Sequence, residues 1–280
     1  MALHLHRNQK LGMRQLLLLI GLLFLPLRGS MGQEPSATDP NALRYRPQKA
    51  FRVGEKLHYQ IRYGIIKAGK ATVEVRAHTQ RAGRPVYHVV GTGVSIGMAE
   101  WFFRTRDRYE SFIDTAALAP WEFIRDVDEG GHIIKRHLIF DQAQKVVKDL
   151  EHPDKGIFNF PDYAQDMFSS FYYARSVDAA KLKTGDDIAF TMFLDHEQFP
   201  FRLRLIGRET IKTDFGKVKC LVLRPTLQKG RVFKEEESMT IWVTDDPNKI
   251  PILVKSELLV GSIKVELTGF EGLRHPSPFF

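Results

Sequence analysis

The chain has 280 residues, of which 41 are Lys or Arg and 33 are Asp or Glu, so its formal net charge at pH 7 is +8. Four of the basic residues and none of the acidic ones lie in residues 1–32, which leaves the rest of the chain at +4. Because charges of both signs are interspersed there without a dense basic run, nucleic acid is not an expected partner. The single cysteine excludes an intramolecular disulfide, so stability must come from burial of a hydrophobic core.

Residues 1–32 have the pattern of an export signal, in which basic residues precede an apolar run at 16–25 and a small-x-small cleavage site at 30–32. The apolar run has about half of the roughly 20 residues that span a bilayer. Cleavage is therefore favoured over a retained anchor, and no transmembrane span is expected in the mature chain. Met13 is an alternative start to Met1. We expect a periplasmic protein.

Three regions follow the predicted signal. Residues 33–50 are polar and contain several prolines, a composition that predicts a disordered leader. Residues 51–270 are predicted to form a single β-rich domain, and residues 271–280 a loose C-terminal tail. The terminal Phe280 is common in outer-membrane barrels, but the two prolines just before it would interrupt the hydrogen bonds of a membrane strand, so a membrane barrel is disfavoured.

Most of the predicted domain shows apolar and polar residues alternating with a period of two, as in half-buried strands. Gly130-Gly131 is a strong hairpin-turn signal between two of these segments. The predicted strands are 57–63, 71–76, 86–94, 100–112, 121–128, 133–140, 145–150, 188–194, 199–206, 209–213, 218–224, 238–244, 250–260 and 262–270. We therefore predict a mainly β fold, an antiparallel curved sheet or incomplete β-barrel with one principal α-helix packed against it.

One predicted strand carries charge along a whole face. In residues 101–114, alternate positions from Arg104 to Glu110 are charged, and the positions from Phe103 to Tyr109 on the other face mix aromatic and polar side chains. Charged side chains commonly protect an edge strand, which is the expected reading. The alternatives are that this strand lines a pore or a ligand entrance.

Residues 161–176 are the one convincing helix. Asp162 and Gln165 have the spacing of a capping box, and Pro161 discourages extension toward the N-terminus. The stripe along the helix comprises Tyr163, Ala164, Met167, Phe168, Phe171 and Tyr172. Such an aromatic stripe requires an apolar partner, either the sheet itself or a hydrophobic cavity that the helix lines.

Several segments together resemble an exported bacterial family classed as a domain of unknown function, DUF3108. The segments that carry the resemblance are 54–69, 168–175, 182–186, 242–246 and 260–263. The resemblance implies an envelope location and a β-rich fold, and it brings no catalytic residues. A similarity to the half-barrels of Lol-type lipoprotein carriers rests on architecture only.

Residues able to support catalysis or metal binding are sparse. The chain contains no Gly-x-Ser-x-Gly nucleophile motif, and Cys220 lies in an apolar strand where its thiolate is disfavoured. Adjacent residues in the Asp-His-Glu run at 195–197 can meet one metal only in an irregular loop, and the run at 245–248 lacks the spacing of an EF-hand. We therefore expect no catalytic residue, no metal site and no cofactor.

The aromatic side chains are more informative, because a barrel of many strands has room for an internal cavity. The candidate ligand-lining residues are Tyr59, Tyr63, Trp101, Met167, Phe171, Tyr172 and Trp242. With the export signal, they favour a non-catalytic periplasmic protein that binds a hydrophobic envelope component: a lipid, an acyl chain or a lipoprotein.

Two other functions stay open. A structural or protein-interaction module in envelope assembly, with an envelope protein as partner, would show an exposed apolar patch or an unpaired edge strand in place of a cavity. An envelope hydrolase would bring together at least two acidic or histidine side chains in one cleft. The candidates for that cleft are Asp195, His196, Asp245 and Asp246.

Overall fold

The computed structural model describes residues 43–225 and 238–279. The predicted export signal and the first part of the predicted leader lie outside these residues. The strands are β1 (Lys56–Tyr63), β2 (Ile66–Arg81), β3 (Arg84–Ser95), β4 (Thr105–Asp114), β5 (Pro120–Glu129), β6 (His132–Asp141), β7 (Val146–Asp149), β8 (Ile157–Asn159), β9 (Asp187–Leu194), β10 (Glu197–Thr213), β11 (Gly216–Pro225), β12 (Met239–Thr244), β13 (Pro251–Glu257) and β14 (Ser262–Glu271). The α-helices are α1 (Met98–Phe102) and α2 (Met167–Arg175).

All of these strands belong to one antiparallel sheet, which confirms the mainly β prediction. The order across it is β8-β7-β6-β5-β4-β3-β2-β1-β14-β13-β12-β11-β10-β9. Except for β8 and β9, strands that follow one another in sequence pair with each other, and β1 pairs with β14 to join the two halves of the chain. Strands β8 and β9 form the two edges, so the curved sheet is an incomplete barrel.

The segment before α2 lies along the β9 edge. The backbone N–H of Gln165 donates to the carbonyl of Thr191 at 2.8 Å, and the N–H of Phe193 donates to the carbonyl of Gln165 at 2.8 Å. These bonds hold Gln165 in an extended conformation, and Tyr163 has a φ of 60°. The prediction that the helix begins at residue 161 is therefore wrong, because pairing with the sheet edge prevails over local helix propensity there.

Asp166, not Asp162, is the N-cap of α2. Its Oδ1 accepts from the backbone N–H groups of Phe168 at 2.7 Å and Ser169 at 2.8 Å, and the Ser169 hydroxyl accepts the Asp166 N–H at 2.8 Å. This reciprocal pair is a capping box four residues downstream of the predicted one.

The segment predicted as one strand from residue 100 divides into α1 and β4. Gly97 has a φ of 57°, which ends β3 and starts the short helix, and β4 begins only at Thr105. Strand β4 lies between β3 and β5, so its assignment to an edge is wrong. The alternation itself is correct, since Thr105, Asp107 and Tyr109 are buried inside the sheet.

Two other local predictions have opposite outcomes. The segments 199–206 and 209–213 are one strand, β10, because a bulge between Leu205 and Gly207 absorbs the break in alternation. Gly130-Gly131 does form the turn between β5 and β6, and both residues have positive φ.

The last part of the predicted leader packs against the domain. The Arg44 N–H donates to the Tyr163 hydroxyl at 2.8 Å, and Arg46 Nε donates to the Ser176 hydroxyl at 2.7 Å. The Arg46 guanidinium also lies 4.1 Å from the centre of the Tyr173 ring. Ordered structure therefore begins before residue 51, through arginine contacts that apolar patterning does not signal.

The C-terminal segment also packs, although a loose tail is predicted. The His275 N–H donates to Asn248 Oδ1 at 3.0 Å. Phe279 is buried, with its ring centre 4.8 Å from that of Phe215 and 5.0 Å from that of Phe270. An aromatic cluster thus holds the tail against the sheet.

The main hydrophobic core lies between α2 and the half of the sheet formed by β2–β7. Phe168 and Tyr172 of α2 enter it, and Gly91 of β3 leaves the space that the Phe168 ring occupies. None of the helices within residues 43–225 and 238–279 is long and apolar enough to cross a membrane.

Candidate functional site: a hydrophobic cavity beside the helix

Helix α2 presents two different faces. Tyr172 is fully buried in the main core, where its ring packs 4.4 Å from that of Phe51. Phe171, one residue earlier and therefore about 100° around the helix, is half-buried and lines a cavity with Ala174. The helix thus separates a dry core from a second, partly open space.

The cavity has a volume of about 180 Å³ and lies between α2 and the strands β9–β12. Each of these strands contributes two apolar residues at positions i and i+2, which point to the same face. The pairs are Ile188 and Phe190, Phe201 and Leu203, Leu221 and Leu223, and Ile241 and Val243. The walls are therefore almost entirely apolar.

Arg175 at the C-terminal end of α2 is one of the polar groups on the wall. Its Nη1 and Nη2 donate to the two carboxylate oxygens of Glu55 at 2.6 and 2.7 Å, and its Nε donates to the carbonyl of Asn248 at 3.1 Å. Burial opposes the charge, but the Glu55 carboxylate prevails and raises the pKa of Arg175. The guanidinium is thus fully charged and already paired.

Lys249 is the second cation on the wall. It lies in the turn between β12 and β13 with a φ of 50°, and its backbone N–H donates to Asp246 Oδ1 at 3.0 Å. Burial, followed by repulsion from the Arg175 charge, lowers the pKa of Lys249 below its ordinary value. In the described part of the chain, no carboxylate forms an ion pair with its ammonium group.

Of the seven residues that the sequence singles out as ligand-lining, only Phe171 contributes to the cavity wall. Met167 and Tyr172 belong to the main core. Tyr59 is also buried, and its hydroxyl donates at 3.1 Å to the carbonyl of Pro251, a residue of the cavity wall.

The other three candidates lie away from the cavity. Trp242 lies between two wall residues along β12, so its side chain projects from the opposite face of the sheet. The Tyr63 hydroxyl donates to the carbonyl of Val260 at 2.8 Å in the turn between β13 and β14. Trp101 is 88% exposed on α1. The wall residues of β9–β12 were not among the candidates, although the sequence shows them as four pairs of apolar residues at positions i and i+2.

The acidic and histidine residues proposed for a hydrolase do not converge. Asp195 pairs with Arg125 at 3.1 Å, and His196 lies 2.7 Å from Asp149, so these two residues attach the β9–β10 turn to β5 and β7 in the other half of the sheet. Asp245 and Asp246 lie in the turn after β12, where Asp245 pairs with Arg208 at 3.2 Å. Within the described residues, no three or more His, Cys, Asp or Glu side chains are grouped so as to hold a metal ion.

A polar cluster also lies on the concave face of β4 and β5. Burial, followed by repulsion from the Glu129 carboxylate, raises the pKa of Asp107 to about 7. Burial likewise raises the pKa of Tyr109, although the neighbouring Arg125 opposes this shift. The cluster is distinct from the apolar cavity, whose wall includes none of these residues.

Comparison with solved structures identifies the same kind of fold. A β-barrel-like protein of a domain of unknown function, DUF1849, from Brucella abortus is similar over 82% of this chain and 99% of its own, with 12% identity and a TM-score of 0.53. A protein from Parabacteroides distasonis, provisionally named a lipoprotein, aligns over 82% of this chain and 100% of its own, with 8% identity. A protein from Bacteroides fragilis, provisionally named as exported, aligns over 82% and 99%, with 11% identity. The last two have TM-scores of 0.30, too low to support an argument.

No curated protein is significantly similar to this chain. The sequence pattern of one family, described as a protein of unknown function (DUF3108), matches residues 58–268. This region contains most of the sheet, all of α2 and all the wall residues named above. The chain therefore belongs to the DUF3108 family.

Proposed function

We propose that this protein is exported to the periplasm and binds, without catalysis, the acyl chain of a cell-envelope lipid or lipoprotein in the cavity between α2 and β9–β12. The observation that carries the proposal is the apolar wall formed by paired side chains from four consecutive strands. The pattern of residues 1–32 supports export. The fold by itself supports no particular ligand.

The size of the cavity limits what it can enclose. An apolar cavity of about 150 Å³ stays dry and accepts benzene, so 180 Å³ accommodates a chain segment of about six carbons. At roughly 0.8 kcal/mol for each buried methylene, such a segment contributes about 5 kcal/mol, equivalent to a Kd of roughly 0.2 mM. The loss of ligand freedom on binding weakens this further. The cavity therefore holds one end of a longer molecule.

The opening of the cavity is consistent with such a ligand. Phe171, Phe190 and Ile241 are only half-buried although they line the wall. A chain whose end lies among them can continue out of the protein toward a head group or a lipoprotein.

A cavity-filling variant tests the proposal. In Ala174→Phe, the new ring enters the cavity from α2 and is expected to abolish uptake of a fluorescent fatty acid by the delipidated protein. Ala180→Phe adds the same ring at an exposed position and serves as the matched control. Native mass spectrometry before and after delipidation measures any co-purifying lipid directly.

The expected result is uptake by the unmodified protein and by Ala180→Phe, with loss in Ala174→Phe. Thermal unfolding of each variant checks that the fold is retained. If the delipidated protein takes up no fatty acid, or if Ala174→Phe binds it as well as the control does, the proposed function is wrong.

A further inference from the structure

Lys249 lies on the cavity wall, and none of the carboxylates in residues 43–225 and 238–279 forms an ion pair with it. The two carboxylates that act on its charge belong to Asp178 and Asp246. Asp178 forms an ion pair with Lys181 at 3.6 Å. Asp246 accepts hydrogen bonds from Asn248 Nδ2 at 2.9 Å and from the Lys249 N–H at 3.0 Å, so its oxygens stabilise the turn.

The neighbouring cation differs in this respect. Arg175 donates through both terminal nitrogens to Glu55, and its Nε and Nη2 also donate to the carbonyl of Asn248. An anion that reaches this end of the cavity would therefore meet Arg175, which is already paired with Glu55, and Lys249, which is available to bind it. Lysine is suited to that role, because its ammonium group is a mobile point charge on a flexible stem.

We propose that the ligand is an anionic amphiphile, whose carboxylate or phosphate head group binds the Lys249 ammonium while its chain occupies the cavity. This inference rests on the proposed function, because it requires a chain in the same cavity. The apolar wall explains chain binding, and Lys249 explains which head group is selected.

Three ligands with the same eight-carbon chain separate the two claims: octanoate, octyl phosphate and 1-octanol. Isothermal titration at pH 7 is expected to show that at least one anion binds about tenfold more tightly than the alcohol, the effect of one charged contact in a partly open site. Comparison of octanoate with octyl phosphate distinguishes a fatty-acid head group from a phospholipid one.

Lys249→Met keeps the length of the side chain and removes its charge. It is expected to lower the affinity for the anions about tenfold and to leave octanol binding unchanged. Lys183→Met, at an exposed position in the loop after α2, is the matched control and is expected to change neither.

The outcomes separate the head-group inference from the proposed function. If the alcohol binds as tightly as both anions, or if Lys249→Met weakens the alcohol equally, the head-group inference is overturned and chain binding stands. If none of the three ligands binds, the proposed function itself fails.

A second, independent feature is an exposed apolar surface at one end of the sheet, here called the apolar rim. It comprises Ile65 in the β1–β2 turn, Ile66 at the start of β2, Met98, Trp101 and Phe102 in α1, and Leu259 and Val260 in the β13–β14 turn. Seven of the twelve exposed large hydrophobic residues among those described belong to this rim. Ile65 is 94% exposed.

Backbone hydrogen bonds place these turns side by side. The Gly64 N–H donates to the carbonyl of Ser262 at 2.9 Å, which joins the β1–β2 and β13–β14 turns. The Ile96 N–H donates to the carbonyl of Ala68 at 3.0 Å, which holds the chain entering α1 against β2. A contiguous apolar surface of this kind marks an interaction site more often than a solvated surface.

The charges around the rim indicate its partner. Lys67, Lys70 and Arg104 are exposed beside it and form no ion pair within the described residues. The nearby Glu100 is neutralised by Arg106, whereas Glu257 is also exposed there. Exposed Trp and Phe side chains flanked by cations are typical of segments that enter the interface of an anionic bilayer.

We infer that the apolar rim docks on the surface of an anionic membrane, which goes beyond the proposed function. Vesicles of phosphatidylglycerol and phosphatidylcholine are expected to co-sediment the mature chain, and vesicles of phosphatidylcholine alone to do so at least fivefold less. Trp101→Ser/Phe102→Ser is expected to abolish the co-sedimentation. Leu150→Ser/Ile157→Ser removes two comparably exposed apolar residues from β7–β8 and is expected to have no effect.

Absence of binding to anionic vesicles would overturn this inference. Equal loss in both double variants would also overturn it, since the rim would then have no special role. If the Trp101→Ser/Phe102→Ser variant instead converts a dimer to a monomer without vesicle binding by either form, the rim joins two copies of the chain and the membrane inference is wrong.

Discussion

Removal of Arg175 is expected to be among the most destabilising single changes in the chain. Its guanidinium and the Glu55 carboxylate are both almost inaccessible to solvent, and they form two hydrogen bonds of 2.6 and 2.7 Å. Arg175→Met would leave that carboxylate buried without its cation, which costs about 3–5 kcal/mol in comparable pairs. The carbonyl of Asn248 would also lose its donors, at roughly 1–3 kcal/mol.

A double-mutant cycle tests this reasoning. Glu55→Leu alone leaves the guanidinium unpaired, whereas Glu55→Leu combined with Arg175→Met removes both charges. The double variant should therefore be more stable than the sum of the single changes predicts, by about 2 kcal/mol or more. Urea unfolding at pH 7, followed by circular dichroism, measures each free energy of unfolding.

Two results would refute the argument. The first is additivity, with an interaction energy near zero, because it would mean that the pair is not coupled. The second is a loss below about 1 kcal/mol for Arg175→Met, the range of an exposed pair. Glu55→Gln, which keeps an acceptor for Arg175, supplies a milder variant if the others do not fold.

Three further predictions concern local features. Since burial raises the pKa of Asp107 to about 7, above its unfolded value, stability should fall as pH rises from about 4 to 7; Asp107→Asn should therefore stabilise more at pH 8 than at pH 5 in urea unfolding, and equal effects would contradict this. A Cβ at Gly91 would overlap the Phe168 ring, so Gly91→Ala should lower stability by about 1–3 kcal/mol in thermal unfolding, unlike Gly93→Ala, whose Cβ would have ordinary contacts. Asp166→Ala should lower the free energy of unfolding by about 2 kcal/mol, because it removes the α2 cap and the 2.6 Å hydrogen bond from Ser111. A comparable loss of stability in Asp162→Ala would contradict this and would favour the predicted capping box at Asp162.

Secondary structure was predictable wherever one local rule acted alone. Period-two alternation marked nearly every strand, because each has one face toward the interior and one toward solvent. Alternation failed at α1, where apolar residues are exposed, and the helix signal failed at residues 161–166, where pairing with β9 prevails. Both failures occur where distant parts of the chain determine the local conformation.

The cavity is the clearest case of what local pattern leaves open. Alternation identifies which residues of β9–β12 share a face, but not whether that face meets another packed layer or an open space. Phe171 and Tyr172 show the difference, since neighbouring aromatic residues of one helix face the cavity and the dry core respectively.

By itself, the sequence determined the β-rich class, the family resemblance and the presence of one aromatic helix, because these depend on residue type and short spacing. The tertiary structure decided where α2 begins, which of its faces is dry, and that Lys249 stands beside an apolar cavity. These features depend on the curvature of the sheet and on contacts such as Arg175 with Glu55, whose partners are 120 residues apart. No local spacing encodes such a contact, because it depends on how the helix and the two halves of the sheet pack in three dimensions.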